Sequence, residues 1–108
     1  MVTEIVTFAV PPDATRQGVL AAFEKTAPSW SQNPDLIRKY YVLDMERRIA
    51  GGIYVWRERL HALRWHGADF RARVRELYGS EPEFQIFETP IVVDNTDSSS
   101  SAITNGDG

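Results

Sequence analysis

Positions 2–10 are apolar and β-branched with one charge, Glu4, and predict a first strand. Pro11-Pro12-Asp13 ends it. Asp13 or Thr15 can cap a following helix, because a short oxygen-bearing side chain accepts bonds from the free N–H groups of a first turn. Val19, Phe23, Thr26 and Trp30 then recur at helical spacing, with Leu20 and Ala27 alongside. Gly18 weakens this helix slightly, and Pro28 predicts its end near Ala27. Residues 29–34 read as a loop.

Residues 36–45, with Tyr40, Tyr41 and Val42, form a second predicted strand. A charged connection over 46–50 leads to a third strand over 51–57, so the pair reads as a hairpin. A helical region over 58–78 places Leu63, Phe70, Val74 and Leu77 on one stripe. Gly67 breaks or kinks it, and Gly79 stops it. Residues 83–94 form a last strand that Pro90 splits, since proline cannot donate to a ladder. From Asn95 the chain is Ser, Asp, Thr, Asn and Gly with little to bury, so 1–95 is the expected domain and 96–108 a disordered polar tail. No internal repeat is visible.

The order βαββαβ favours a ferredoxin-like α+β sandwich, a four-stranded antiparallel sheet with its helices on one face. The other face still carries large apolar side chains. An uncovered apolar face of that size predicts a second copy against it, a homodimer. Within the third strand, Gly51-Gly52-Ile53-Tyr54-Val55-Trp56-Arg57, alternation puts Ile53 and Val55 on one side and Tyr54 and Trp56 on the other. Those rings fill a core or dimer contact, or they line a pocket for a flat organic molecule. On the helix side they would face a cavity; on the other they would be dimer core.

Composition narrows the chemistry. There are no cysteines, which removes disulfides, thiolate metal sites and cysteine nucleophiles. Apolar runs are far too short to span a bilayer, and the N-terminus lacks the basic and apolar segments of a secretory signal, so a cytoplasmic chain is expected. A net charge of -3 argues against phosphate-backbone binding. The fold order also suits an RNA-recognition motif, yet the third strand lacks its Lys/Arg-Gly-aromatic-Gly-aromatic pattern and has Ile53 where a ring is wanted. The region 57–76 holds six arginines interleaved with carboxylates, a solvated face with local ion pairs unless one arginine reaches an anionic ligand. His61 and His66, five apart on a continuous helix, diverge by about 140°, so no shared metal is expected. His61 and Trp65 stand at i, i+4, and either histidine could serve as a general base. No dinucleotide fingerprint, phosphate loop or serine-nucleophile elbow is present.

Three segments in order, Leu36-Ile37-Arg38-Lys39-Tyr40-Tyr41-Val42, Gly51-Gly52-Ile53-Tyr54-Val55-Trp56 and Phe87-Glu88-Thr89-Pro90-Ile91-Val92-Val93-Asp94-Asn95, resemble the small mono-oxygenase branch of the dimeric α+β-barrel superfamily, related to the antibiotic-biosynthesis monooxygenases. The resemblance spans about residues 2–95. It implies two sheets facing each other as a barrel, and a cavity in each subunit between sheet and helices. It further implies an oxygenase without metal, flavin or other cofactor, in which an ionised phenolic substrate reduces oxygen itself. The protein would supply a base, donors for the anion and a dry cavity. On that reading Lys39, Tyr41, Tyr54 and Trp56 shape the site, His61 is the base, and Arg64 and Trp65 are donors to a small aromatic or quinol-like molecule. A non-catalytic dimeric binding or stress-response module, or an isomerase or cyclase, would use the same cavity.

Overall fold

Val2–Ala9 forms β1, Arg16–Ser31 α1, Leu36–Asp44 β2, Ile49–Trp56 β3, Arg59–Trp65 α2, Ala68–Tyr78 α3 and Glu83–Glu88 β4. The structure, a computed structural model, describes residues 1–96. The tail expected to be disordered lies, beyond Thr96, outside the described residues. All strand pairs are antiparallel in the order β2-β3-β1-β4, so β1 and β3 are central. This is the ferredoxin-like α+β sheet that the element order implied.

Alternation along β1 decides the layers. Val2, Glu4 and Val6 are buried, whereas Thr3, Ile5 and Thr7 are half-buried. Val2 pairs with Trp56, Glu4 with Tyr54 and Val6 with Gly52, so these residues share one face with the β3 rings. That face meets the helices. One core cluster joins Val2, Val6, Tyr54, Trp56 and Ala62, with Trp30 and Phe70 packed on it. A second joins Val10, Val19 and Ala50, flanked by Phe8, Phe23 and Leu43.

Three boundaries differ from expectation, each for a local reason. Thr15 caps α1 by accepting from the Gly18 N–H, but the helix runs through Pro28 to Ser31. Proline removes one bond near the last turn, while Trp30 two residues later packs edge-on against Tyr54 and Trp56 and holds the turn in place. The β2–β3 turn is tighter than expected. Ile49 and Ala50 belong to β3, and Arg48 takes a left-handed φ of 57°. Its guanidinium donates to the Ala14 and Pro12 carbonyls, which fixes that strained residue. The second helical region breaks at His66-Gly67 into two helices, as Gly67 predicted. The break takes Leu63 out of phase with the α3 stripe and leaves it exposed while Ala62 and Val74 are buried; Leu77, in the last turn of α3, is exposed as well. β4 ends at Glu88 rather than running to Asp94, and the Thr89 N–H donates instead to the Met1 carbonyl.

Among the described residues, no helix lies on the opposite sheet face. Ile5, Ile53, Val55 and Val42 are half-buried there, and Tyr40 and Phe87 are exposed. Ile91 and Val93, just past the last strand, are about four-fifths exposed, at 80% and 81%.

Gly51 and Gly52 have separate tasks. A Cβ at Gly51 would sit 1.8 Å from the Val6 carbonyl oxygen, so β1 and β3 approach more closely than any side chain allows. A Cβ at Gly52 would meet only the far ends of side chains, Tyr54 Cε1 at 2.9 Å and Lys39 Cε at 3.0 Å. Gly51→Ala is expected to cost about 3 kcal/mol and Gly52→Ala only about 1 kcal/mol. Urea midpoints at unchanged m-value measure both; equal losses would contradict this division.

Candidate functional site

Behind the sheet's ring face lies a buried polar cluster. Glu4 Oε1 accepts from Trp56 Nε1 at 2.9 Å and stands 2.6 Å from His66 Nδ1. Glu4 is 1% exposed and His66 5%. A carboxylate so placed orients the imidazole as the Nδ1–H tautomer, leaving Nε2 as the free nitrogen. Nε2 is buried without a partner among the described residues. Around the imidazole stand Phe70 at 4.2 Å, Tyr54 at 4.3 Å and Trp56 at 5.5 Å between ring centroids. The His66–Glu4 pair therefore forms the floor behind the rings. Glu4 was not a site candidate in the sequence, and His66 entered only as one of two histidines that could serve as a general base.

In front of those rings is a cavity of ≈ 170 Å³ between α1, α3 and the sheet. Trp30, Lys39, Tyr41, Tyr54, Phe70 and Arg73 are among its walls. A dry apolar cavity of about 150 Å³ holds a benzene ring, so this space suits one or two fused rings. A second hollow of ≈ 310 Å³ shares Trp30, Lys39 and Tyr41 as a common wall.

Lys39 is the chemical centre of that wall. Its ammonium lies 3.8 Å from the centroid of Tyr41, 4.5 Å from Tyr54 and 4.7 Å from Trp30. β2 pairs Lys39 with Tyr54 and Tyr41 with Gly52, which places all three side chains on the helix side. The bare Gly52 leaves room for the lysine stem and the Tyr54 ring. No carboxylate of the described residues pairs with the amine. Burial holds its pKa down at about 7. The three ring faces act in the other direction, favouring the cation. The result is an amine that changes charge near neutrality without leaving an apolar site.

The two phenols beside it differ. Thr26 Oγ1 lies 2.7 Å from the Tyr41 hydroxyl and donates to the Phe23 carbonyl, so the Tyr41 O–H donates to Thr26. Burial raises the Tyr41 pKa. The Tyr54 phenol is pushed well above its ordinary value, chiefly by burial and then by the nearby Tyr41 and Glu4 charges. It is a donor throughout the accessible pH range.

The other sequence candidates gather elsewhere. Asp35, just before β2, accepts from Trp65 Nε1 at 3.0 Å and Arg64 Nη1 at 3.4 Å, with His61 Nε2 at 3.5 Å. His61, Arg64 and Trp65 thus tie α2 to the loop entering β2, and none of them lines the Lys39 cavity. Lys39, Tyr41 and Tyr54 line it directly. Trp56 stacks parallel to Tyr54 at 5.6 Å and supports that wall from behind. Among the described residues no cluster of three metal-ligating side chains occurs, and no helix is long and apolar enough to cross a membrane.

The lysine pKa sets a stability signature. An unfolded lysine titrates near 10.4 and native Lys39 near 7. Between these values the unfolded chain holds the extra proton, so stability rises with pH from about 7 to about 10. Below pH 7 both states are protonated and the burial penalty is at its full value. Lys39→Met is therefore expected to raise the urea midpoint at pH 6 and to give a smaller gain at pH 10. An equal gain at both would show that burial does not penalise the charge.

No family model matches the sequence, and no curated protein matches it significantly. Solved structures do match. SnoaB, a cofactor-independent oxygenase from Streptomyces nogalater, superposes with a TM-score of 0.62 at 19% identity, covering 85% of this chain and 95% of its own. An antibiotic biosynthesis monooxygenase gives 0.64 at 15% identity, covering 82% and 98%. A Deinococcus radiodurans protein provisionally described as such a monooxygenase gives 0.66 at 8% identity, covering 87% and 97%. At these identities the likeness is one of fold. The chain has the ferredoxin-like α+β fold of the antibiotic biosynthesis monooxygenases.

Proposed function

We propose that this chain is a cofactor-independent monooxygenase that oxidises a small phenolic or quinol-like aromatic with molecular oxygen, working as a homodimer. The observation that carries the reading is the Lys39 amine, held near neutrality within a cage of rings on the wall of a ring-sized cavity. The shared fold with SnoaB supports the same kind of activity.

In this mechanism the neutral Lys39 amine takes a proton from the substrate, and the resulting ammonium stays beside the anion. The Tyr54 O–H donates to the substrate oxygen that gains charge. The electron-rich anion reduces oxygen and forms a carbon-bound hydroperoxide. Loss of water then leaves a carbonyl, so a CH2 group and O2 become C=O and H2O. The apolar rings keep bulk water from protonating the anion first. Lys39 takes the base role for which the sequence suggested His61, because His61 stands on Asp35 outside the cavity lining.

The test uses purified protein shown free of metal and flavin, incubated with 1-naphthol and with hydroquinones under air and under nitrogen. Turnover that vanishes under nitrogen is expected. Lys39→Met should lower kcat at least about 100-fold, the scale of general-base removal, with His61→Ala near wild type. Oxygen-independent conversion would indicate an isomerase or cyclase, and binding without conversion would indicate a ligand-binding module.

The uncovered sheet face supports the homodimer, since a contiguous apolar patch of this kind marks an interface in soluble chains. Light scattering of dilute protein should give about twice the 12.3 kDa chain mass. Ile53→Lys, at the centre of that face, should return the mass to one chain while leaving the helix-side cavity unaltered. A wild-type monomer would remove the barrel from the reading.

A further inference from the structure

Lys39 meets the conditions for covalent chemistry as well as for proton transfer. Its amine is not tied up in an ion pair among the described residues. Its side chain borders both hollows, so a ring in either one lies against it. The flanking faces of Trp30, Tyr41 and Tyr54 suit a flat guest as well as a cation. Tyr54 supplies a phenol that is still protonated at alkaline pH. A desolvated lysine in an apolar pocket is the form in which this residue acts as a nucleophile.

We propose that Lys39 captures aromatic aldehydes and ketones as Schiff bases within the aromatic cage. The amine lone pair attacks the carbonyl carbon, and one N–H proton moves to the former carbonyl oxygen. The carbinolamine then loses that hydroxyl with the second N–H proton as water, leaving a C=N bond. No electrons are exchanged. The Tyr54 O–H donates to the carbonyl oxygen and polarises it for attack. Electron-rich wall rings select a planar aromatic carbonyl over an aliphatic one. Capture needs no oxygen, so it holds whether or not the oxygenase reading does.

The sequence supplies an internal control, because Lys25 is the only other lysine and lies exposed on α1. At pH 7 an amine of pKa about 7 is about half neutral, whereas one near 10.4 is neutral in under about one part in a thousand. The native full-length chain is incubated at pH 7, under nitrogen, with benzaldehyde and sodium cyanoborohydride. The borohydride delivers hydride to the imine and fixes it as a benzylamine. Peptide mapping by mass spectrometry then compares Lys39, Lys25 and the Met1 amine. The expected result is benzylation of Lys39 at least about tenfold faster than of Lys25, slowed by excess phenol as a competing guest and levelled by urea. Lys39→Arg, which keeps the charge but cannot form the imine, should lose the fast adduct at unchanged circular dichroism. Equal rates at the two lysines, a silent Lys39, or no competition by phenol would each overturn the proposal.

Discussion

The carboxylate of Glu4 is the constraint on which the rest of this fold is arranged. A charge buried inside a small domain is tolerated only when its oxygens are matched by donors, and removing one partner of such a pair typically costs about 3–5 kcal/mol. Here the donors come from two distant places, the Trp56 indole on β3 and the His66 imidazole at the break between α2 and α3. Meeting both at once fixes the β1–β3 register, because a slip of one residue would carry Glu4 to the open face. It also fixes where α2 ends, since His66 must turn inward just as Gly67 starts a new helix. The rings that pack on this cluster then become the back wall of the Lys39 cavity.

The cavity follows from that arrangement together with small features of the sheet. Gly52 leaves a gap that the Lys39 stem crosses, and Gly51 lets β3 approach β1. Trp30 reaches the same space from α1 despite Pro28, and Phe70 reaches it from α3. Five elements thus contribute to one amine environment. None contributes a carboxylate to it, and that omission keeps Lys39 from behaving as an ordinary surface cation.

Much of the architecture was legible because it rests on period and punctuation. The β-branched run of β1, the hairpin of β2 and β3, the break at Gly67 and the stop at Gly79 are local signals, and they led to the observed sheet order. Pro28 misled because a single lost helix bond is a smaller effect than the burial of Trp30, which sequence spacing cannot weigh. The stripe misled at Leu63 because a helix break resets phase. On the cavity wall, Lys39 and Tyr41 were named on the family resemblance, while strand alternation set Tyr54 beside Trp56 without fixing which side meets the helices. Glu4 carried a usable signal, being the one charge in phase with Val2 and Val6. His66 carried less, since two of its main partners, Glu4 and Trp56, are 62 and 10 residues away in sequence. The cluster of His61, Arg64 and Trp65 on Asp35 depends on where the loop before β2 passes, which no helical pattern specifies.

The sheet order also dictates when the molecule can take shape. β1 is made first, yet its ladder partners are β3 and β4, some fifty and eighty residues later. Among the described residues, only the β2–β3 hairpin joins strands adjacent in sequence. A chain emerging from the ribosome therefore carries an apolar first strand without its neighbours until Trp56 is free, and an unpaired edge on β1 until Phe84 and Ile86 follow. Glu4 sits in the middle of that waiting strand. Its charge favours solvent until the indole and imidazole arrive, which makes the residue that organises the finished core a guard against premature association during synthesis.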